Sequence, residues 1–230
     1  MKKRVAIFDI DGTIFRSSIL IELVEELVKR GHFPKDAKEG YEKELYQWIN
    51  RKGDYNDYIV QVVKMFMKHI KGISYKDFFN VSEEVMEENK DRVYRYTRDM
   101  VKDLKKKGYY LLAISQSPKT ALDHFCKQLG FTKVYGRIYE LGPHDKFTGK
   151  IIDEHLIENK SYIVRRVVEK ENLTLEKSIG VGDTLNDVPF LEMVETPICF
   201  NPDQNLYRHA KRVEWKVVVE RKNVVYEINP

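Results

Sequence analysis

Residues 5–13 read Val5-Ala6-Ile7-Phe8-Asp9-Ile10-Asp11-Gly12-Thr13, an apolar run of strand length that ends in two carboxylates, a glycine and a hydroxyl. A strand that is buried on both faces is apolar throughout, so Val5 to Phe8 is predicted to be a central strand of a parallel sheet. Ligands of such sheets bind beyond the carboxyl ends of the strands, which is where Asp9 and Asp11 lie. Two acids so close repel each other unless a cation lies between them or one of them holds a proton. We therefore expect the chemistry of the protein at this strand end.

The composition is typical of a soluble globular protein. Its 230 residues are 42% hydrophobic and 33% charged, which is enough for one full core or a core with an insertion. A net charge of +4 and the lack of a single-sign tail give no indication of a nucleic-acid partner. Cys126 and Cys199 are isolated, which fits a reducing compartment and argues against a thiolate metal site. Without an apolar run of about 18 residues or room for a signal peptide, we expect a cytoplasmic protein with no membrane partner.

The middle of the chain indicates an insertion. After Thr13 the apolar residues follow a helical period, beginning with a predicted helix between Ser17 or Ser18 and Gly31, and no strand pattern returns before about residue 90. Strands and helices then alternate, which is typical of a parallel sheet with right-handed crossovers. We therefore predict an α/β fold, with a Rossmann-like parallel-sheet core and helices on both faces formed by residues 1–15 and 95–230. Residues 16–94 are predicted to form an inserted helical cap domain.

Two local patterns in the second half of the chain give more specific predictions. Residues 134–141 and 147–152 are predicted to form a hairpin or irregular strands. Ser117-Pro118 is predicted to open a helix, with serine as the cap and proline in the first turn.

Polar groups at further strand ends match what phosphoryl transfer requires. Ser115 follows a predicted strand, the turn Gly182-Asp183-Thr184-Leu185-Asn186-Asp187 follows another, and Lys160 begins a helix. Catalysis of phosphoryl transfer is mostly positioning and charge neutralisation. Asp9 and Asp183 are the expected carboxylate ligands of Mg²⁺, while Ser115 and Lys160 are expected to bind phosphate oxygens.

The two acids of the first strand are predicted to divide the covalent chemistry. Asp9 can attack phosphorus to form an aspartyl-phosphate, and Asp11 can protonate the leaving group and later deprotonate water. Lys150 and Lys146 remain alternatives to Lys160 as the phosphate-binding lysine.

These residues resemble the four ordered motifs of the haloacid dehalogenase-like (HAD) hydrolase superfamily: Phe8-Asp9-Ile10-Asp11-Gly12-Thr13, the serine of Leu112-Ala113-Ile114-Ser115, a downstream lysine, and Gly182-Asp183-Thr184-Leu185-Asn186-Asp187. The helical insertion resembles the phosphoserine phosphatase-like subgroup. The resemblance implies that Asp9 is the nucleophile and that Asp11 is the acid–base group. It also implies that Mg²⁺ is held by Asp9, by the backbone carbonyl of Asp11 and by Asp183. Asp187 would support the metal or its waters.

The predicted substrate contacts are Ser115, Gln116, Lys160 and Asn186, the last of them implied by the resemblance, but two positions depart from phosphoserine phosphatases. The glutamate that follows the first motif in those enzymes is missing from Arg16-Ser17-Ser18-Ile19, and Gln116-Ser117 stands where they have glycines. We therefore expect a phosphate ester other than phosphoserine. The acid at Asp11 argues against dehalogenase chemistry.

The sequence thus predicts a Mg²⁺-dependent phosphatase that hydrolyses a small phosphorylated metabolite. A phosphotransferase or phosphomutase of the same fold, and a non-catalytic module that binds a phosphorylated ligand, remain alternatives. The expected partner is a small-molecule phosphate ester, and the sequence makes no prediction of the oligomeric state.

Overall fold

The computed structural model describes residues 2–228 and contains an eight-stranded sheet in the order β4-β3-β2-β1-β5-β6-β7-β8. The strands are β1 Lys3–Phe8, β2 Tyr110–Pro118, β3 Lys133–Leu141, β4 Phe147–Ile152, β5 Leu173–Gly182, β6 Thr196–Phe200, β7 Lys216–Arg221 and β8 Val224–Ile228. The six inner strands are parallel, and the two edge strands β4 and β8 pair antiparallel with their neighbours. The predicted α/β class is confirmed.

Strand β1 lies at the centre of the sheet because its side chains are apolar on both faces. Ala6 and Phe8 belong to one hydrophobic cluster, whereas Val5 and Ile7 belong to a second cluster on the opposite face, and all four are fully buried. The first cluster includes residues of helices 95–106 and 119–129, and the second includes residues of helices 160–170 and 204–212. Helices therefore cover both faces of the sheet, as the continuous apolar run predicted.

The α-helices lie in the insertion and between the strands of the core. They are α1 Ile19–Lys29, α2 Glu42–Ile49, α3 Tyr55–His69, α4 Tyr75–Glu88, α5 Arg95–Lys106, α6 Lys119–Leu129, α7 Glu154–Glu158, α8 Lys160–Lys170, α9 Val188–Leu191 and α10 Gln204–Arg212. Short 3₁₀ turns cover residues 35–40, 143–145 and 185–187. The carboxylate of Asp54 accepts a hydrogen bond from Asn56 N at 2.8 Å, which caps the start of α3, and the Ser74 hydroxyl caps α4 in the same way.

The inserted helices α1 to α4 leave and rejoin the sheet through two paired segments. Phe15 forms an isolated bridge with Val93, the Arg16 amide donates to the Arg92 carbonyl, and the Tyr94 amide donates to the Ile14 carbonyl, both at 2.9 Å. The hydrophobic cluster on this face of the sheet continues into α1, α3 and α4. The division at residues 16–94 remains a prediction, since buried apolar side chains run across it.

The β3–β4 hairpin packs against the inserted helices. Phe147 of β4 lies edge-on to Phe78 with ring centroids 5.3 Å apart, and Tyr139 of β3 lies 5.2 Å from Phe66. Backbone bonds join the hairpin to the turn between α3 and α4, since Gly72 N donates to Phe147 O at 2.8 Å. The predicted hairpin is confirmed.

Two features of the chain differ from the sequence predictions. Ser117-Pro118 does not open a helix, because β2 remains extended to Pro118, which pairs with Arg137 of β3, and α6 begins at Lys119. Strand β8 was not predicted, and its side chains are half or fully exposed because it is the edge strand of the sheet beside β7. Within residues 2–228, no helix combines the length and the apolar character that a membrane crossing requires.

Candidate active site

The polar strand ends meet in one cleft of about 1210 Å³. Asp9 and Asp11 follow β1, while Gln116 and Ser117 come from β2 and Asp183 follows β5. These strands are neighbours in the sheet and run in parallel, so their carboxyl ends lie at one edge. The opposite wall is largely apolar and comes from α2 and α3, with Leu45, Trp48, Ile49, Tyr55, Ile59 and Val63.

Lys160 lies between two buried carboxylates. Its Nζ donates to Asp9 Oδ1 and, at 2.6 Å, to Asp187 Oδ1, and all three residues are at least 94% buried. Lys160 reaches this position because it is the first residue of α8, where the Asn159 side chain caps the helix by accepting from Ser161 N. Within the described part of the chain, no hydrogen-bond donor reaches the second carboxylate oxygen of Asp9. That oxygen is free to face a substrate.

Asp187 holds the turn that carries Asp183. Its Oδ2 accepts hydrogen bonds from the amides of Asp183 and Thr184 at 3.0 and 3.1 Å. Gly12 lies so close to this turn that a Cβ at position 12 would be 2.0 Å from Asp183 Oδ2, and its φ of +75° is one that glycine adopts without strain. The glycine therefore allows the loop after β1 to approach the Asp183 carboxylate.

The buried carboxylates disfavour one another's charged forms. Burial raises the pKa of Asp9 to about 8, with Asp187 and Asp11 adding to the rise and Lys160 opposing it. Burial, together with Asp9 and Asp187, also raises the pKa of Asp183 well above its ordinary value. Burial disfavours the Lys160 ammonium, but Asp187 and Asp9 outweigh it and raise the pKa of this lysine. The cluster therefore carries more negative charge than one ammonium can neutralise.

Asp11 faces a different set of groups. Its Oδ2 accepts a hydrogen bond from the Ser115 hydroxyl, and its Oδ1 accepts from the Ile19 amide at 2.6 Å at the first residue of α1. The Ser115 hydroxyl in turn accepts from Ser117 N at 2.9 Å. Asp11 is thus held by both the sheet and the first inserted helix, while its neighbour Asp9 faces the lysine.

The donor set fits a divalent cation. Asp9, Asp183 and Asp187 each offer a carboxylate oxygen, and these atoms lie within 4.8 Å of one another. Carboxylate oxygens are the ligands that Mg²⁺ prefers, and a cation would relieve the repulsion that raises the pKa of Asp9 and Asp183. The Asp11 carboxylate lies outside this set, so its predicted share in metal binding would have to come from the backbone carbonyl.

The remaining predicted residues lie in or near the cleft. Gln116 and Asn186 both line it, and Gln116 accepts a hydrogen bond from Arg137 at 3.2 Å. The alternative lysines Lys146 and Lys150 are exposed on the β3–β4 hairpin and do not line the cleft. The geometry therefore favours Lys160, and the roles of all these residues remain predictions.

A comparison with models of known protein families identifies the family of this chain. Residues 6–192 match the family model described as haloacid dehalogenase-like hydrolase. The chain belongs to this family. The matched range contains Asp9, Asp11, Ser115, Lys160 and the turn of Asp183 and Asp187.

Relatives of the HAD protein include named phosphatases. The phosphoserine phosphatase SerB1 of Mycobacterium tuberculosis is 26% identical over 216 residues, which cover 92% of this chain and 69% of the relative. The histidinol-phosphatase of Neisseria meningitidis is 24% identical over 228 residues, which cover 94% of this chain and 98% of the relative. The prediction that the chain is an enzyme, a phosphatase, is confirmed by the family and these relatives.

Solved structures confirm the fold of the HAD enzyme. A Bordetella pertussis protein of unknown function superposes with a TM-score of 0.74 at 20% identity, covering 94% of this chain and 98% of that protein. A phospho-aspartyl intermediate analogue of a phosphoserine phosphatase superposes with a TM-score of 0.62 at 21% identity, covering 96% and 95%.

Three side chains in the cleft of this HAD enzyme escaped the sequence analysis. Tyr55 begins α3, and burial together with Asp11 and Asp183 raises its pKa. Tyr94 lies where the insertion rejoins the core, and burial together with Asp183 raises its pKa. Arg137 lies on β3. Tyr55 begins α3, but nothing in the local sequence shows that this end of the helix lies over Asp11 and Asp183.

Proposed function

We propose that this HAD enzyme is a Mg²⁺-dependent phosphomonoester hydrolase that acts on a small phosphate ester through an aspartyl-phosphate at Asp9. The observation that carries the proposal is the division of labour between the two acids of the first motif. Asp9 has one oxygen on Lys160 and one free, while Asp11 is held apart by Ser115 and Ile19 N. This difference in surroundings supports the proposal that Asp9 attacks and that Asp11 exchanges protons.

In the first step, the free oxygen of Asp9 attacks phosphorus, a new O–P bond forms, and the bond from phosphorus to the leaving oxygen breaks. Asp11 gives its proton to the leaving oxygen, so the alcohol departs neutral. The Lys160 ammonium orients Asp9 and offsets charge on the transferred group. The Ser115 hydroxyl donates to Asp11 and accepts from Ser117 N, so a bound phosphate would exchange with these bonds to accept from Ser115 and the amides that follow it.

In the second step, the Asp11 carboxylate takes a proton from water as the water oxygen attacks the same phosphorus. The O–P bond to Asp9 then breaks, which releases inorganic phosphate and returns both acids to their first state. Mg²⁺ bound to Asp9 and Asp183, with support from Asp187, would supply charge neutralisation and phosphate orientation.

The identity of the ester is a separate part of the proposal. The relatives include a phosphoserine phosphatase and a histidinol-phosphatase, so the family accommodates leaving groups of different chemistry. Arg16-Ser17-Ser18-Ile19 offers no carboxylate for a substrate ammonium, and Glu22, the first acid beyond it, is bound to Arg92 and Ser17. We propose a phosphate ester other than phosphoserine.

Release of phosphate from p-nitrophenyl phosphate, with Mg²⁺ and with EDTA, tests the proposal. We expect turnover that requires Mg²⁺ and that is lost in Asp9→Asn. Asp11→Asn should slow both formation and breakdown of the phosphoenzyme by about 100-fold or more, as loss of a general acid–base group does. A folded, Mg²⁺-loaded protein that hydrolyses neither this ester nor any member of a phosphorylated-metabolite panel would refute the proposal.

A further inference from the structure

Arg137 is a cleft residue with no assigned role. It lies on β3 beside Pro118, its partner in the sheet, and therefore next to the segment Ser115–Ser117. Gly136 makes this approach possible, because a Cβ at position 136 would lie 2.9 Å from the Ser117 carbonyl oxygen and 2.5 Å from Leu122 Cδ1. The sheet thus places a guanidinium beside the predicted phosphate-binding serine.

The guanidinium of Arg137 is incompletely bonded. One Nη donates to Gln116 Oε1 at 3.2 Å, whereas Nε is buried and has no hydrogen-bond partner within residues 2–228. No carboxylate of the described chain forms an ion pair with Arg137. The guanidinium also opposes the rise that burial causes in the pKa of Tyr139, so its polar neighbours Gln116 and Tyr139 are both neutral side chains.

The other two arginines of the cleft have partners. Arg92 donates to Glu22 Oε1 at 2.7 Å, and Arg16 lies over the Tyr94 ring at 5.8 Å. The cleft also contains carboxylates outside the catalytic cluster, and these are engaged or exposed. Asp54 and Asp203 each accept from the backbone of the helix that they cap, and Asp57 is exposed in the first turn of α3. Among these charged groups outside the catalytic acids, the one that the structure places in contact with Gln116 is the Arg137 guanidinium.

We propose that Arg137 is a specificity-determining residue that binds an anionic group, a carboxylate or a second phosphate, on the leaving group of the substrate. The planar fork of a guanidinium matches the two oxygens of such a group and binds it bidentately. Gln116, which Arg137 already contacts, holds the fork in the cleft beside the reacting phosphate. This inference rests on the proposed phosphatase activity, and it specifies in addition that the leaving group of the substrate is negatively charged.

Three matched esters test the inference: 2-phosphoglycolate, ethylene glycol bisphosphate and 2-hydroxyethyl phosphate. They differ in whether the far end carries a carboxylate, a phosphate or a hydroxyl. We expect kcat/KM of the wild-type enzyme to be about tenfold or more higher for at least one of the two anionic esters, and the favoured ester identifies which anion is bound. Arg137→Met should lower kcat/KM for that ester by about tenfold, mainly by raising KM. The same variant should change kcat/KM for 2-hydroxyethyl phosphate little.

Two further variants separate recognition from folding. Arg137→Lys keeps the positive charge but not the planar guanidinium, and should retain part of the preference for the anionic ester. Arg166→Met removes a charge from an exposed position of α8 and should leave kcat/KM unchanged for both the anionic and the neutral ester. Equal losses for anionic and neutral esters in Arg137→Met, or no anionic preference in the wild type, would overturn the role of Arg137 alone. No turnover of these esters or of p-nitrophenyl phosphate would overturn the proposed function with it.

Discussion

Lys160 is the residue on which the coexistence of the buried acids depends. Its single ammonium donates to both Asp9 and Asp187 and offsets part of their charge, and its position at the start of α8 orients the Asp9 carboxylate. A lone buried carboxylate would take up a proton rather than remain charged, and a protonated Asp9 would be a poor nucleophile. The lysine therefore supports both the charge state and the direction of the attacking oxygen.

Replacement of Lys160 by methionine should remove both effects while keeping most of the side-chain volume. We expect the rate of hydrolysis of p-nitrophenyl phosphate to fall by about 100-fold or more, as when a positioned electrostatic donor is lost. Lys150→Met, an exposed substitution of the same kind, is the control and should change the rate little. A larger loss in Lys150→Met than in Lys160→Met would assign the phosphate-binding role to the hairpin instead.

The raised pKa of Asp9 predicts how the stability of the metal-free enzyme depends on pH. Because the folded protein holds this proton to about pH 8 and the unfolded chain releases it near the ordinary value of 3.8, the contribution of Asp9 to stability falls as pH rises through this window. In EDTA, the free energy of unfolding of the wild type relative to Asp9→Asn should therefore decrease from about pH 5 to about pH 8. Denaturant titrations measure this difference.

Mg²⁺ provides the matched comparison for the same experiment. Because a cation that binds the ionised cluster stabilises the charged folded state, saturating Mg²⁺ should raise stability more at the alkaline end of the window than at the acidic end. A wild-type protein that gains stability relative to Asp9→Asn as pH rises in EDTA would contradict the assigned charge state.

At the scale of elements, the β3–β4 hairpin joins the sheet to the inserted helices. Phe147 is 96% buried among Phe78, Tyr139 and Tyr75, and its backbone is bonded to the turn at Gly72 and Ile73. The hairpin thus supports the helices that form the apolar wall of the cleft.

Phe147→Ala should lower the free energy of unfolding by about 3–5 kcal/mol, the usual cost of removing a buried aromatic ring. Ile152→Ala, at a half-exposed position of the same strand, should cost far less. Denaturant unfolding of the two variants measures the difference. Equal losses in the free energy of unfolding would show that packing of the Phe147 ring does not stabilise the contact between the hairpin and the inserted helices.

The elements that the sequence predicted well are those whose own residues determine them. β1 is an uninterrupted apolar run between a charged start and two acids, and α1 covers Ile19–Lys29, between the predicted limits Ser18 and Gly31. The failures depend on partners far away in sequence. Ser117-Pro118 stays extended because it lies beside Arg137, and β8 is a strand only because β7 pairs with it. Pairing of this kind leaves no local pattern.

At the scale of the whole molecule, one half of the cleft could be predicted from the sequence and the other half could not. The catalytic half was predicted because parallel strands bring their carboxyl ends to one edge, so that residues from 9 to 187 along the chain could be placed together. The other half, in which we propose that substrate specificity is set, combines α2 and α3 with Arg137 of β3. Its composition depends on how the insertion packs over the sheet, which helical periodicity alone does not determine.

The two paired segments at residues 14–16 and 92–94 connect these halves. Arg92 of one segment lies over the ring of Phe15 of the other at 5.8 Å and also bonds Glu22 of α1. The insertion is thus tied at its base to the strand that carries Asp9 and Asp11. These two paired segments therefore tie the insertion, which carries the apolar wall of the cleft, to the region of Asp9 and Asp11.

The most direct test of the account is to find where the phosphoryl group goes during turnover. The enzyme is mixed with ³²P-labelled p-nitrophenyl phosphate and Mg²⁺, quenched in acid within one turnover, and digested to peptides. The account predicts label on Asp9, and no label in Asp9→Asn. Label on Asp11, Ser115 or any other side chain, or hydrolysis at full rate in Asp9→Asn, would contradict it.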